Sequence, residues 1–409
     1  VENHLEEGRI ITETGLETPL LLLNDLPNAS VSSEIKPSQT IGAADLVVNI
    51  SDPGPIVSGS VDADSYGNRY TGQYRYGVTF NLNNPFALGD QITYRGFKTN
   101  NNLGFYRLGY AVPVGYWGTR IGASYTTFHY HLGEEFKPSQ AYGDGVVTSV
   151  FALHPIIRTR GGNLIGQIAY SKMSLNDRVQ ADSFNIDRNI HTTRAGLVGD
   201  YRDGVFGGGL NSFSFVHTRG YASINQDNLA EADKDTLKTA GRFSKQNYEY
   251  RRLQKIDENA NLLLAIRGQF ASKNLMSAEK FSLGGPDGVR SYPTGEALGD
   301  EGWIFTAEYR YTIPGFKLWD GDVTAMGFWD QGHIQQLEHF PSQLRASCST
   351  TRCTQNLRSI SGYGLGASAG KDSDFVLRMS AAWRNEDEGP QSDPAKRVPR
   401  VWVQGIKWF

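Results

Sequence analysis

Few residues in this 409-residue chain have types and spacings that could do chemistry. Arg290 lies within FSLGGPDGVRSY (residues 281–292), flanked by Val289 and Tyr292, an odd setting for a solvated charge. A guanidinium presents a planar fork of donors that fits a carboxylate two-pronged, fixing direction as well as distance. Asp330 stands in FWDQG (residues 328–332) and shares a strand face with Phe328 and Gly332, opposite Trp329. From the residues alone both readings stay open: an ordinary loop charge and an ordinary strand carboxylate, or the two halves of an ion pair. His129 and His131 flank Tyr130 on one strand face. Two imidazoles are too few for a metal centre and suit a membrane interface equally. Cys348 and Cys353 lie in the polar stretch RASCSTTRCT (residues 345–354). Were the chain exported, this even count would read as a small loop disulfide. No base, nucleophile and carboxylate converge, so no catalytic residue, metal site or cofactor is expected.

The elements that must position these residues are strands. Hydrophobic residues make up 39% and mean hydropathy is −0.42. No apolar run approaches the length of a transmembrane helix. A transmembrane barrel alternates lipid-facing and lumen-facing residues, so its average hydropathy resembles that of a water-soluble chain. The 46 glycines, 20 tyrosines, 20 phenylalanines and 7 tryptophans suit many strands, tight turns and aromatic girdles. A net charge of −3 gives no sign of nucleic-acid binding.

Residues 19–27 read as a short apolar helix stopped by proline, and 30–37 and 44–50 as two strands with Gly42 in their turn. From Pro55 onward strict alternation takes over. Tyr70, Gly72, Tyr74, Tyr76, Val78 and Phe80 share one face; Trp303, Phe305, Ala307, Tyr309 and Tyr311 share another. These segments exceed the usual strand length and match what a tilted strand needs to cross a bilayer. The segment from Pro55 to Phe409 is predicted to hold sixteen strands. Their connections alternate between short turns (such as 115–118, 160–162 and 371–373) and long polar loops (132–145, 225–243, 277–302, 334–357 and 385–399). An even count puts both barrel ends in the periplasm. Tryptophan belongs at lipid, so Trp329 turns Asp330 toward the lumen.

The stretch 281–302 resembles the loop-six signature of two-partner secretion transporters (TpsB), a branch of the BamA/TpsB superfamily. The FWDQG segment is similar to that family's F-x-D-x-G strand motif. The resemblance implies an all-β transmembrane fold, a 16-stranded antiparallel outer-membrane barrel preceded by a partial periplasmic POTRA domain (α+β). Residues 1–54 would be the back part of the second POTRA domain and 55–409 the barrel, with loop six (about 277–302) folded into the lumen. Carried over, the loop-six latch is Val289, Arg290, Ser291 and Tyr292. Arg290 would pair with Asp330, Glu308 is a second lumen partner, and Phe328 and Gly332 complete the motif. The family reads V-R-G-Y where this chain has Ser291, and a left-handed backbone there would strain a serine. The terminal Phe409 suits the signal read by the barrel-assembly machinery, although Lys407 occupies a usually apolar position. The chain begins at Val1 without a signal peptide and is expected to be a processed or truncated form.

The implied function is an outer-membrane pore of a Gram-negative cell. It would secrete a large unfolded exoprotein (adhesin, haemolysin, haem-binding or contact-dependent toxin type) without ATP. Its partners would be that cognate exoprotein, through an N-terminal secretion domain, the barrel-assembly machinery and outer-membrane lipid, with no nucleic acid. The alternatives are an assembly insertase of the same superfamily and a diffusion porin.

Overall fold

The computed structural model describes residues 12–38, 44–51, 54–181, 184–341, 356–386, 389–393 and 397–409. The first helix, α1 (Glu13–Asn24), begins earlier than the proline at position 19 suggested. Thr12 supplies the reason: its hydroxyl oxygen accepts from the Gly15 N–H at 3.2 Å and satisfies one of the open helix-end donors. Asn24 then ties the helix to the first strand, donating to Val31 O at 2.9 Å and accepting from Val31 N at 2.8 Å. Strands β1 (Ser30–Pro37) and β2 (Ala44–Ser51) pair antiparallel. The turn expected at Gly42 lies outside the described residues.

The barrel starts with β3 (Val57–Asp64), β4 (Arg75–Asn83), β5 (Gln91–Thr99) and β6 (Gly104–Val114). It continues through β7 (Thr119–His131), β8 (Ala141–Arg158), β9 (Gly162–Val179) and β10 (Phe184–Asp203). Next come β11 (Gly209–Ile224), β12 (Gly241–Lys255) and β13 (Ala260–Ala271). Two short strands inside a loop, β14 (Phe281–Ser282) and β15 (Leu298–Gly299), pair only with each other. The wall resumes with β16 (Glu301–Leu318), β17 (Gly321–Gln335), β18 (Leu357–Lys371), β19 (Phe375–Arg384) and β20 (Arg400–Trp408). Leaving out β1, β2, β14 and β15, the sixteen wall strands form one closed antiparallel barrel. Residues 404–408 of β20 pair with 60–64 of β3 to complete it. Closure leaves no open sheet edge, which lipid could not satisfy.

Alternation divides the wall as the sequence implied. Leu108, Tyr125, Val150, Ile168, Phe215 and Leu365 are exposed on the outside, while Ser124, Ser171 and Thr192 are buried inside. An outer surface this apolar is a lipid-facing surface. Among the described residues no helix is long and apolar enough to cross a membrane.

The strand expected from residue 70 begins only at Arg75. Asn68 accepts from Tyr70 N at 2.8 Å, Asn100 accepts from Tyr74 N at 3.0 Å, and Gly72 adopts φ +109°. Side-chain amides thus take the place of ladder partners and hold 70–74 in a loop. The long loop after β11 contains a helix of its own, α2 (Asp227–Asp235). Short turns gather at the end of the barrel where α1 sits. There Arg158 forks onto Asp25 at 2.7 and 2.6 Å, and Thr18 donates to Arg158 O at 3.0 Å.

Candidate functional site

After β13 the chain turns back into the barrel, and its base is held by packing. Leu275 and Met276 pack with Ile190, Ala222, Phe243 and Ala271 in a buried apolar cluster. Asp300, fully buried, accepts from Leu275 N and Glu338 N, each at 3.0 Å, and pairs with Lys280. Deeper in the loop, Leu283, Val289 and Tyr292 are fully buried against Ile304, Ile334 and Ile360 of the wall. The tip is a turn in which Tyr292 N donates to Val289 O at 3.0 Å. Its residues therefore face wall strands rather than solvent.

Arg290 meets Asp330 as the fork geometry requires. Its Nε donates to Asp330 Oδ2 at 2.8 Å and its Nη2 to Asp330 Oδ1 at 2.9 Å. The Arg290 backbone N–H adds a third bond to the same carboxylate at 3.2 Å, and Thr306 Oγ1 a fourth at 2.9 Å. The remaining guanidinium nitrogen, Nη1, ion-pairs with Glu308, whose other oxygen accepts from Arg310 Nε at 2.7 Å. Two guanidinium groups against two carboxylates leave the cluster without net charge. The Phe328 ring lies 3.3 Å from the Arg290 guanidinium carbon, measured to its centroid. Trp402 Nε1, on β20 further round the wall, donates to Arg290 O at 2.7 Å. Asp330 and Glu308 are 1% and 3% exposed, so removing any one charge would strand another away from water.

The glycines of the wall explain how the tip comes so close. A Cβ at Gly332 would lie 3.0 Å from Leu283 Cδ2 and 3.1 Å from Val289 Cγ2. One at Gly362 would collide with the Ser291 side chain. Ser291 is not among the residues with left-handed φ, so the strain considered for a serine there does not arise. Its hydroxyl donates to Ser361 O at 3.3 Å.

Below the tip, on the periplasmic side, an interior cavity of about 620 Å³ is lined by Arg251, Arg267, Arg290, Arg310, Arg378 and Trp402 among others.

Sequence reasoning missed a second anchor, Glu296. It accepts from Gln391 N at 2.8 Å and Ser392 N at 2.9 Å, and from Arg358 Nη1 at 2.6 Å. Burial pushes its carboxyl up, but the Ser392 hydroxyl, these two backbone N–H groups and the Arg358 charge together hold it below the ordinary glutamate range. Nothing in its sequence neighbourhood marks it, because its partners come from β18 and the loop before β20.

The other candidates fall elsewhere. Phe409 is exposed on the outer wall, exchanges backbone hydrogen bonds with Gly59 at 2.9 and 3.1 Å, and packs edge-on against Phe80. Lys407 pairs with Asp374 at the periplasmic rim. His129 stacks on Tyr106 and His131 on Tyr142. Cys348 and Cys353 lie outside the described residues.

A closed sixteen-stranded barrel with an inward-folded, arginine-tipped loop is the arrangement that the BamA/TpsB resemblance implied for an outer-membrane transporter. Residues 42–367 match the family described as haemolysin secretion/activation protein ShlB/FhaC/HecB, and the chain belongs to that family. The heme/hemopexin transporter protein HuxB of Haemophilus influenzae (strain 86-028NP) is 26% identical over 403 residues, covering 98% of this chain and 68% of that protein. The outer membrane transporter CdiB of Dickeya dadantii is 23% identical over 345 residues, covering 80% of this chain and 59% of that one. Among solved structures, CdiB from Escherichia coli superposes with a TM-score of 0.76 at 18% identity, covering 100% of this chain and 73% of that one. BamA from Haemophilus ducreyi lacking POTRA domains 1–3 gives 0.60 at 12% identity, covering 93% and 75%. The protein is thus a two-partner secretion pore of the Gram-negative outer membrane that acts with a cognate secreted exoprotein. The insertase and porin alternatives find no comparable support: the BamA likeness is one of fold alone.

Proposed function

We propose that residues 281–302 form a displaceable latch, held in the lumen by Arg290 on Asp330 and Glu308, which yields when the exoprotein passes. The observation that carries this is the neutral, buried cluster at the loop tip, where one inward-folded loop supplies the single arginine that joins two wall carboxylates. Val289, Ser291 and Tyr292 seat the tip, Phe328 stacks on the guanidinium, and Gly332 gives the loop room. An unfolded cargo exposes backbone groups that lipid cannot satisfy, so it must travel through a polar lumen. Translocation then needs neither ATP nor any enzymatic step of the pore.

Residues 1–54 are the back part of a POTRA domain on this reading, and 55–409 the barrel. The POTRA part receives the cargo's N-terminal secretion domain by lending it a sheet edge. Phe409 is the residue that the barrel-assembly machinery reads, and outer-membrane lipid surrounds the wall. For the cargo, a haem-scavenging type is favoured because HuxB matches the chain nearly end to end, whereas CdiB matches 80% of it.

Charge exchange in cells co-expressing the exoprotein tests the latch. Arg290→Asp and Asp330→Arg, each alone, are expected to change secretion by about tenfold or more at equal barrel levels, and the double exchange to restore part of it. Single variants that secrete like the parent would remove the contact from the mechanism.

A further inference from the structure

The outer wall carries a second cluster, on the opposite face of the barrel wall from the lumen. Register places Lys172 of β9 opposite His191 of β10, His191 opposite Tyr221 of β11, and Tyr221 opposite Arg242 of β12. In the next row toward the periplasm, Tyr170, Thr193, Arg219 and Ser244 are aligned across the same four strands. Both rows point outward, because their neighbours Ser171, Thr192, Thr218 and Phe243 are buried inside. A groove of about 590 Å³ on this face is lined by Tyr170, His191, Arg219, Tyr221 and Arg242.

The cations here differ from those in the lumen. Arg290 and Arg310 are matched to carboxylates. Lys172, Arg219 and Arg242 are exposed and have no ion pair or hydrogen bond among the described residues. His191 Nδ1 and the Tyr170 hydroxyl are 2.8 Å apart, which braces the groove floor. No carboxylate stands in either row, so the patch is a uniformly positive site suited to an anion.

Its height on the barrel says which anion. From Asn211, in a polar rim cluster with Asp203 and Arg252, β11 climbs to Tyr221 by roughly 25 Å, at a rise of about 3.3 Å per residue and a tilt of about 40°. That equals the height of the apolar band of an outer-membrane barrel, about 25 Å. Phe213 and Phe215 face out along that climb. The two rows therefore sit where the outer-leaflet acyl chains give way to headgroups. With neighbouring strands about 4.8 Å apart, the four-residue row spans about 15 Å, wide enough for a sugar headgroup rather than a lone ion.

We propose that Lys172, Arg219 and Arg242, with Tyr170, His191 and Tyr221, bind the phosphate-bearing headgroup of an outer-leaflet glycolipid. The guanidinium groups take the phosphates and the two tyrosine rings offer flat faces to the sugars. The site rests on the outer-membrane location and not on the latch, so its loss leaves secretion chemistry untouched.

The test uses the complete chain purified in detergent and mixed micelles of diphosphoryl lipid A, with lipid retention read by native mass spectrometry. Wild type is expected to retain the lipid, while R219Q with R242Q retains it about tenfold less or worse. R219K with R242K, which keeps both charges, is expected to retain most of it and guards against a folding defect. R160Q, at an exposed arginine on the opposite rim, is expected to behave as wild type. Equal retention of lipid A stripped of its phosphates, or undiminished retention by the glutamine pair, would overturn the proposal. Displacement by excess inorganic phosphate would also overturn it, showing a free-anion site.

Discussion

Asp330 accepts four hydrogen bonds, three from Arg290 and one from Thr306, so Asp330→Asn disturbs more than an ion pair. It leaves the guanidinium buried with Glu308 alone, a situation that costs roughly 3–5 kcal/mol. The expected outcome is faster proteolysis within 281–302 on intact barrels, with the wall undisturbed. Ser291→Gly is expected to be slightly destabilising, by about 0.5–1.5 kcal/mol, because the hydroxyl bond to Ser361 is lost and no strain is relieved. Hydrogen exchange at the tip measures it. Glu296 gives a pH dependence. Its native value is depressed, so its contribution is full above the ordinary glutamate range, near pH 4.3, and is lost as pH falls through the lower native value. Loop proteolysis by an acid protease should therefore rise below about pH 4 in the parent and show no such step in Glu296→Gln. Asp330 and Glu308 were legible because strand parity turns them to the lumen, and Arg290 because the loop-six and F-x-D-x-G resemblances together imply its partner. Glu296 and Asp300 were not, since backbone N–H groups from remote segments satisfy them.

At the scale of elements, the loop tip comes closest to the wall at Gly332 and Gly362, where side chains are lacking. Gly332→Leu is expected to push Leu283 and Val289 off the wall and free the tip. A spin label on the loop should then report raised mobility, while an unchanged spectrum would mean the tip is held from elsewhere. Overpacking of this kind typically costs about 1–3 kcal/mol. Most wall strands were legible from two-residue alternation, because one face meets lipid and the other water. The start of β4 was not, since Asn68 and Asn100 outcompete the ladder at Tyr70 and Tyr74. Nor was the start of α1, where a threonine cap outweighed the proline signal.

For the molecule as a whole, closure by β20 on β3 makes a continuous wall, and on the proposed reading the inward loop is what sets whether the lumen conducts. Alternation and the short-turn, long-loop rhythm made the barrel legible from the sequence. The proximity of β18 and the loop before β20 to Glu296 needed the folded structure, because the contacts join residues up to 96 positions apart in the chain through an inward-folded loop. The most direct test is single-channel conductance of Arg290→Gln in planar bilayers beside the parent. If the arginine latch keeps the loop seated, the variant should open more often or to a larger conductance. An unchanged trace from a correctly folded barrel would contradict the latch.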